Sequence, residues 1–257
     1  MSKKILIGTC GTPVRKEEIY RNLDAVEIQE TFYNLIPLER AGKILLERPE
    51  GFVVAAKVFQ AITHPSTSPT WRKMKGRLEG DLSMYGDLKP SRENLNAWEK
   101  FLNIAKAMRA EIAVFQTPPS FGYSAENYSN VVEFFRSIDR GGLKIAWEPR
   151  GSWNKPDNRD ILCRIYEDLG VIQALDIFRN KPCTGSQDSL YIRLHGIGAG
   201  EVNYRYRYSD EDLIRLRDMI LETHHRTIYI MFNNVYMYED AVRMKKLLKT
   251  LGEGVEA

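Results

Sequence analysis

The chain has 257 residues, 43% of them hydrophobic and 28% charged, with 37 basic against 34 acidic side chains for a formal charge of +3. That size supports one large domain with a substantial core and excludes a disordered chain. So small a net charge argues for nucleic acid only through a local patch. The longest apolar runs, such as Ile112 to Phe115, are far too short to span a bilayer, and Met1-Ser2-Lys3-Lys4 leads straight into a strand-like segment. Neither a spanning helix nor a cleavable signal is therefore expected, and the protein reads as cytoplasmic with no membrane partner. Cys10, Cys163 and Cys183 are odd in number and far apart. They make neither a disulfide framework nor a CxxC metal knuckle and read as reduced thiols.

In chain order, segments rich in β-branched residues or flanked by turn signals predict strands over Lys4 to Thr9, Ala25 to Phe32, Phe52 to Phe59 and Ile112 to Thr117. Four more follow at Lys144 to Arg150, Val171 to Ile177, Ser189 to His195 and Thr227 to Asn233. Apolar residues recur at helical steps between them: Leu95, Trp98, Leu102, Ala105 and Met108 in Ser91 to Ala110, and Leu213, Leu216 and Ile220 in Asp210 to Thr223. A last helix, Tyr238 to Leu251, buries Met244, Leu247, Leu248 and Leu251 and leaves Lys245, Lys246 and Lys249 to solvent. Ser91, Ser124 and Ser209 stand where N-caps belong, and Ser209 with Asp212 makes a near capping box. Ala61 to Lys89, with Pro65, Pro69, Gly76, Gly80 and Gly86, is the long irregular connection and reads as a lid or binding loop. Eight strand–helix units at roughly 32 residues each are the arithmetic of a single (β/α)8 TIM-like barrel over residues 1–257. An open doubly wound sheet is the alternative. It is disfavoured because no G-x-G-x-x-G turn follows the first strand and because polar residues are spread over nearly all strands.

Alternation along a strand decides which side chains point inward. In Leu190 to His195 the aliphatic members must meet the helices, which turns Tyr191, Arg193 and His195 to the interior. The same test brings in Glu27 and Gln29, Lys57, Glu148 with Arg150, Asp176, and Asn233; Gln116 lies on a strand with two apolar faces. Unpaired charges in a packed barrel cost several kcal/mol. Two readings account for them. Glu27, Glu148 and Asp176 cancel Lys57, Arg150 and Arg193 in a structural ion network, or the set is a site at the carboxyl ends of the strands.

The ordered segments Gly8-Thr9-Cys10-Gly11, Val26-Glu27-Ile28 with Thr31-Phe32-Tyr33, Lys57 with Ile62-Thr63-His64, and Phe115-Gln116 with Pro118-Pro119-Ser120-Phe121 resemble the YecE-like family, domain of unknown function number 72. Further matches are Glu148 with Arg150 and Ser152-Trp153, Tyr191 with Arg193-Leu194-His195-Gly196, Tyr208-Ser209-Asp210, and Phe232-Asn233-Asn234. The resemblance implies a TIM-like barrel and no established reaction. It also draws His64, Gln116, Trp153 and Tyr208 into the candidate site. The chain departs from the family pattern after Gly11, where Thr12-Pro13 leads to a short helix at about Arg15 to Asn22, and at Gln29-Glu30.

The resulting expectation is an enzyme of hydrolase, lyase or isomerase type doing acid–base chemistry on a small anionic, phosphorylated or sugar-containing ligand. Glu148 and His195 would exchange protons, and Glu27, Asp176 and Asn233 would orient the set. Lys57, His64, Gln116, Arg150, Trp153, Arg193, Gly196, Gly198, Tyr208 and Asn233 would bind substrate in one cavity. Arg193 and the Gly196 to Gly200 loop are expected to hold an anion, because barrel proteins often bind phosphate after strand seven. Glu27, Glu148, Asp176 and His195 are chemically suitable metal ligands, yet no H-E-x-x-H or Cys-pair spacing is present and three cations are near, so no metal site is assigned. No cofactor is identified, and none is expected to be needed for folding. Tyr204-Arg205-Tyr206-Arg207-Tyr208 alternates aromatics with cations, as either a packing hairpin or a surface for sugar phosphate or nucleic acid. A nucleic-acid-binding, endonuclease-like repair barrel is accordingly the alternative function. His224 and His225 read as surface residues.

Overall fold

The computed structural model describes residues 3–183, 188–198, 200–250 and 255–256. Met1 and Ser2, Ala199 of the glycine loop and Leu251 of the last predicted helix lie outside them. Among the described residues the strands are β1 (Lys3–Cys10), β2 (Ala25–Ile28), β3 (Val53–Lys57), β4 (Ile112–Gln116), β5 (Lys144–Glu148), β6 (Ile172–Leu175), β7 (Ser189–Leu194) and β8 (Thr227–Phe232), with a two-residue β9 (Val255–Glu256). The helices are α1 (Lys16–Asn22), α2 (Glu30–Tyr33), α3 (Leu38–Glu47), α4 (Gln60–Thr63), α5 (Arg92–Ala107), α6 (Ala125–Ser137), α7 (Arg159–Leu169), α8 (Asp210–Glu222) and α9 (Met237–Lys249). Hydrogen-bonding order runs β2-β3-β4-β5-β6-β7-β8-β1, and β1 pairs with β2 as well as β8, which closes the sheet. The fold is the (β/α)8 barrel that the unit count predicts.

The chain divides into two compact units: Met1–Glu27 with Pro49–Val53 and Ile172–Ala257, and Ile28–Arg48 with Val54–Val171. In the first unit β8 pairs with β1 from Lys4↔Thr227 to Thr9↔Phe232, and with β7 from Ser189↔Thr227 to Leu194↔Phe232. Inward rings from these strands meet, Tyr191 lying 5.8 Å from Tyr229. Gly8 leaves room for the neighbouring strand, because a Cβ there would stand 2.4 Å from the Ala25 carbonyl oxygen. In the second unit β3, β4 and β5 run side by side, so that Lys57 lies level with Val114 and Gln116 level with Glu148. The outer face of β4 is covered by α5, whose Trp98 stacks on Phe115 at 5.4 Å and donates its indole N–H to the Asp139 carbonyl.

The caps form as the sequence predicts. Ser91 and Ser124 accept from the N–H of Asn94 and Asn127, and Ser209 with Asp212 closes a reciprocal capping box at the start of α8. Three expectations change. The second strand stops at Ile28 instead of reaching Phe32, because the Thr31 hydroxyl turns back to the carbonyls of Ile28 and Lys57, at 3.2 and 2.7 Å, and starts a helical turn. The last residues of the connection after Ala61 are held by buried Asn94, which donates to the carbonyls of Gly86 and Lys89 and accepts from Gly86 N–H. Cys163 and Cys183 are each disulfide-bonded, since separation along the sequence is no guide to distance once the chain folds back; Cys10 is a buried thiol. His225 is 1% exposed, not a surface residue, because it leads directly into β8. Among the described residues no helix is long and apolar enough to cross a membrane.

Candidate functional site

In the first unit, β2 and β7 bring Glu27 and Arg193 together with both side chains wholly buried. The pairing is bidentate: Arg193 Nη2 donates to Glu27 Oε1 at 2.8 Å and Nε to Oε2 at 3.0 Å. Tyr191 adds its hydroxyl to Oε2 at 2.9 Å, and Cys10 Sγ lies 3.8 Å from Nη2. Burial and the Glu27 charge hold the Tyr191 phenol well above its ordinary range. The guanidinium fork assigned to an incoming anion is thus filled by an internal carboxylate.

One residue beyond β7, buried His195 donates its backbone N–H to Asp176 Oδ2 at 3.2 Å, and its Nδ1 lies 3.9 Å from the same oxygen. Asp176 also accepts from Phe178 N–H and faces Arg179 Nε at 3.5 Å. Arg179 in turn donates to the carbonyls of Gly196, Gly198 and Gly200. The glycine loop therefore turns carbonyls toward a cation, and Gly196 N–H is taken by the Tyr208 hydroxyl at 2.8 Å. Gly196 is required for close approach: its φ is +85°, and a Cβ would stand 2.1 Å from the Asn203 carbonyl oxygen. Of the asparagine pair after β8, Asn233 is half-buried and bonded through its N–H to Leu194 O. Asn234 is the buried one, joining Tyr206 O to Asp240.

In the second unit, Lys57 ends β3 with its ammonium 3.0 Å from Gln116 Oε1 and 4.1 Å from the centre of the Phe32 ring. Glu148 ends β5, with Arg150 Nη2 3.3 Å from its Oε1; the two side chains retain 8% and 14% of their exposure. His64 is buried beside Phe32, with Nδ1 2.8 Å from the Thr63 hydroxyl. Burial first, then the charges of Lys57 and Arg150, push its imidazole down to about 3, so it is neutral at pH 7. Trp153 is wholly buried, its indole N–H donating to Phe121 O at 2.7 Å and its ring against Trp147. It positions the loop after β5 and does not present a face to a ligand.

Parity along strands finds the charged residues but not how deep each lies. Glu27, Arg193, Trp153 and Tyr208 are enclosed, whereas Lys57, Gln116, Glu148 and Arg150 keep some access to solvent. Sequence reasoning missed Arg179, Asn234 and Asp240. The i, i+3 spacing of Asp176 and Arg179 was a visible signal for the first. Among the described residues no group of three or more His, Cys, Asp or Glu side chains could hold a metal ion.

Parallel strands that carry ionisable side chains at their carboxyl ends define a TIM-barrel protein with its polar groups where barrel proteins keep their chemistry. The model of the family described as Protein of unknown function DUF72 matches residues 15–257, and the chain belongs to that family. A DUF72 family protein from Enterococcus faecalis superposes with a TM-score of 0.73 at 19% identity, over 96% of this chain and 98% of that one. One from Thermotoga maritima gives 0.67 at 19% identity, over 96% and 99%. The fold also matches the IOLI protein, described with a bound zinc atom, at a TM-score of 0.56 and 11% identity over 99% and 100% of the chains. No curated protein matches the chain.

Proposed function

We propose that the chain is an enzyme performing acid–base chemistry on an anionic, phosphorylated or sugar-containing substrate at the carboxyl ends of its strands. The observation that carries this reading is the positive field at the ends of β3, β4 and β5. Lys57 and Arg150 act together on neutral His64, while Glu148 stands against Arg150. A dianion entering there would be held by Arg150 as a two-pronged donor and by Lys57 as a point charge. Gln116, bonded to Lys57, fixes where that charge stands. As the anion draws on Arg150, the pull of that cation on Glu148 weakens, and the carboxylate would accept a proton from the substrate carbon or hydroxyl next to the anion. Neutral His64 would serve as a hydrogen-bond donor and would become easier to protonate once the anion offsets the two cations.

The test is a thermal-shift and calorimetric survey with sulfate, phosphate, ribose 5-phosphate and glucose 6-phosphate on wild type, Lys57→Met and Arg150→Met. At least one phosphate ester should raise the wild-type Tm, and each variant should lose roughly tenfold to a hundredfold in affinity, the usual worth of a charge-assisted contact. Absence of binding by every anion, or binding to both variants as tight as to wild type, would remove the basis of the proposal.

A further inference from the structure

The alternating segment Tyr204 to Tyr208 is divided by the fold into a buried anchor and an exposed display. Tyr208 is 1% exposed and stacks on Phe178 at 5.9 Å. Tyr206 is half-buried, its hydroxyl donating to Asp212 at 2.6 Å. Tyr204 stays 46% exposed, with its ring 6.2 Å from the His195 ring. Beside it Val235, 63% exposed, donates its N–H to Tyr204 O at 2.7 Å, and the Arg207 guanidinium lies 5.5 Å from the Tyr236 ring centre. This exposure does not come from a loose loop. Asn234 clamps Tyr206 O and Asp240, while Arg243 donates to Tyr208 O at 2.6 Å and to Asp240 at 3.0 Å. A contiguous group of exposed Tyr and Val on a stiff frame marks a binding surface more than an accident of packing, and its charged members, Arg205 and Arg207, select for an anion.

We propose that this rim of the first unit binds a nucleoside phosphate, the base stacking on Tyr204 and the phosphate meeting Arg205 and Arg207. A base supplies a flat π-face whatever its identity, and a guanidinium lying over a tyrosine ring keeps its in-plane N–H groups directed outward for phosphate oxygens. The inference stands on this rim of the first unit alone, apart from the proposed function. It does not require the anion held by Lys57 and Arg150.

Calorimetry on the full chain at low salt would compare AMP, adenosine, ribose 5-phosphate and a ~10-nucleotide oligothymidylate. Wild type should bind AMP about tenfold tighter than ribose 5-phosphate. Tyr204→Ala should erase that difference, Tyr204→Phe should keep it, and Arg207→Gln should weaken AMP but not adenosine. Tyr204 and Arg207 are exposed, so the variants should fold. A tighter oligonucleotide than AMP would make a strand the source of the ligand, and the reverse order a free nucleotide. AMP binding no better than ribose 5-phosphate, or binding equally to Tyr204→Ala, overturns the inference and leaves the anion reading intact. AMP binding without ribose 5-phosphate supports the inference, and binding of neither overturns it.

Discussion

At the scale of single residues, the Glu27–Arg193 pair shows how a barrel interior tolerates charge. Taking two ions out of water costs several kcal/mol each, and only a bidentate geometry with every remaining lone pair engaged offsets that cost. Here Tyr191 completes the shell of Glu27. Removing one member strands the other, so Glu27→Leu and Arg193→Met should each destabilise the protein by about 3–5 kcal/mol. The double variant should be less destabilised than the sum of the two, because nothing charged is left unpaired. Urea unfolding of the four proteins measures this, and additive losses would show that the two side chains are not coupled. Parity along β2 and β7 made both residues legible as inward-facing. Their mutual pairing was not, because alternation gives a face and not a depth. Sequence alone made Glu148 or Asp176 equally reasonable partners for Arg193.

At the scale of elements, strands and caps were legible because period-two and period-3.6 patterns are local, and their ends fell within one or two residues except at β2. There a side chain, Thr31, decides where the strand stops by bonding two carbonyls, one of them on β3. Loops were the weak point. Glycines after β7 read as a phosphate cradle, yet the loop is built around Arg179 and Asn203, and its glycines allow close packing while their carbonyls accept from the Arg179 guanidinium. Gly196→Ala would meet both a positive φ and a backbone oxygen. It should cost on the order of 1–3 kcal/mol of strain or more, and it should shift the amide resonances of His195 and Asn203, which the loop holds through Asn203 N–H to His195 O. A variant with unchanged stability and unchanged resonances would mean that the loop is free to adopt another form. Arg179, Asn234 and Asp240 lie in connections or at a helix start, where no period announces an inward side chain.

At the scale of the whole molecule, barrel architecture was readable from unit count, and the ionisable residues at strand ends from alternation; what stayed hidden was which of them solvent reaches. The same burial gives the protein a pH signature. His64 is held at about 3 and His225 at about 4. For His225 the causes are burial, then His224 and Lys3, with Asp188 opposing. Both of its ring nitrogens are buried without a hydrogen-bond partner. An unfolded histidine titrates near 6.5, so the unfolded chain binds more protons than the native one below that value. Stability from these two groups is therefore complete above about pH 6.5 and is lost progressively as pH falls toward 4 and then 3. Urea unfolding at pH 7 and pH 5 should show lower stability at pH 5, with a smaller difference in His225→Phe; equal stability at both values would mean that neither imidazole is held neutral.

The central claim is that Lys57 and Arg150 create an anion site against His64. Its most direct test is the His64 ring signal in an NMR pH titration, with and without saturating phosphate ester. The account predicts an imidazole that stays neutral from pH 8 to pH 5 in the free protein. Its apparent pKa should climb by at least about one unit when bound anion offsets the two cations, and this climb should vanish in Arg150→Met. A His64 that titrates near 6.5 in the free protein, or one that ignores the ester, would contradict it.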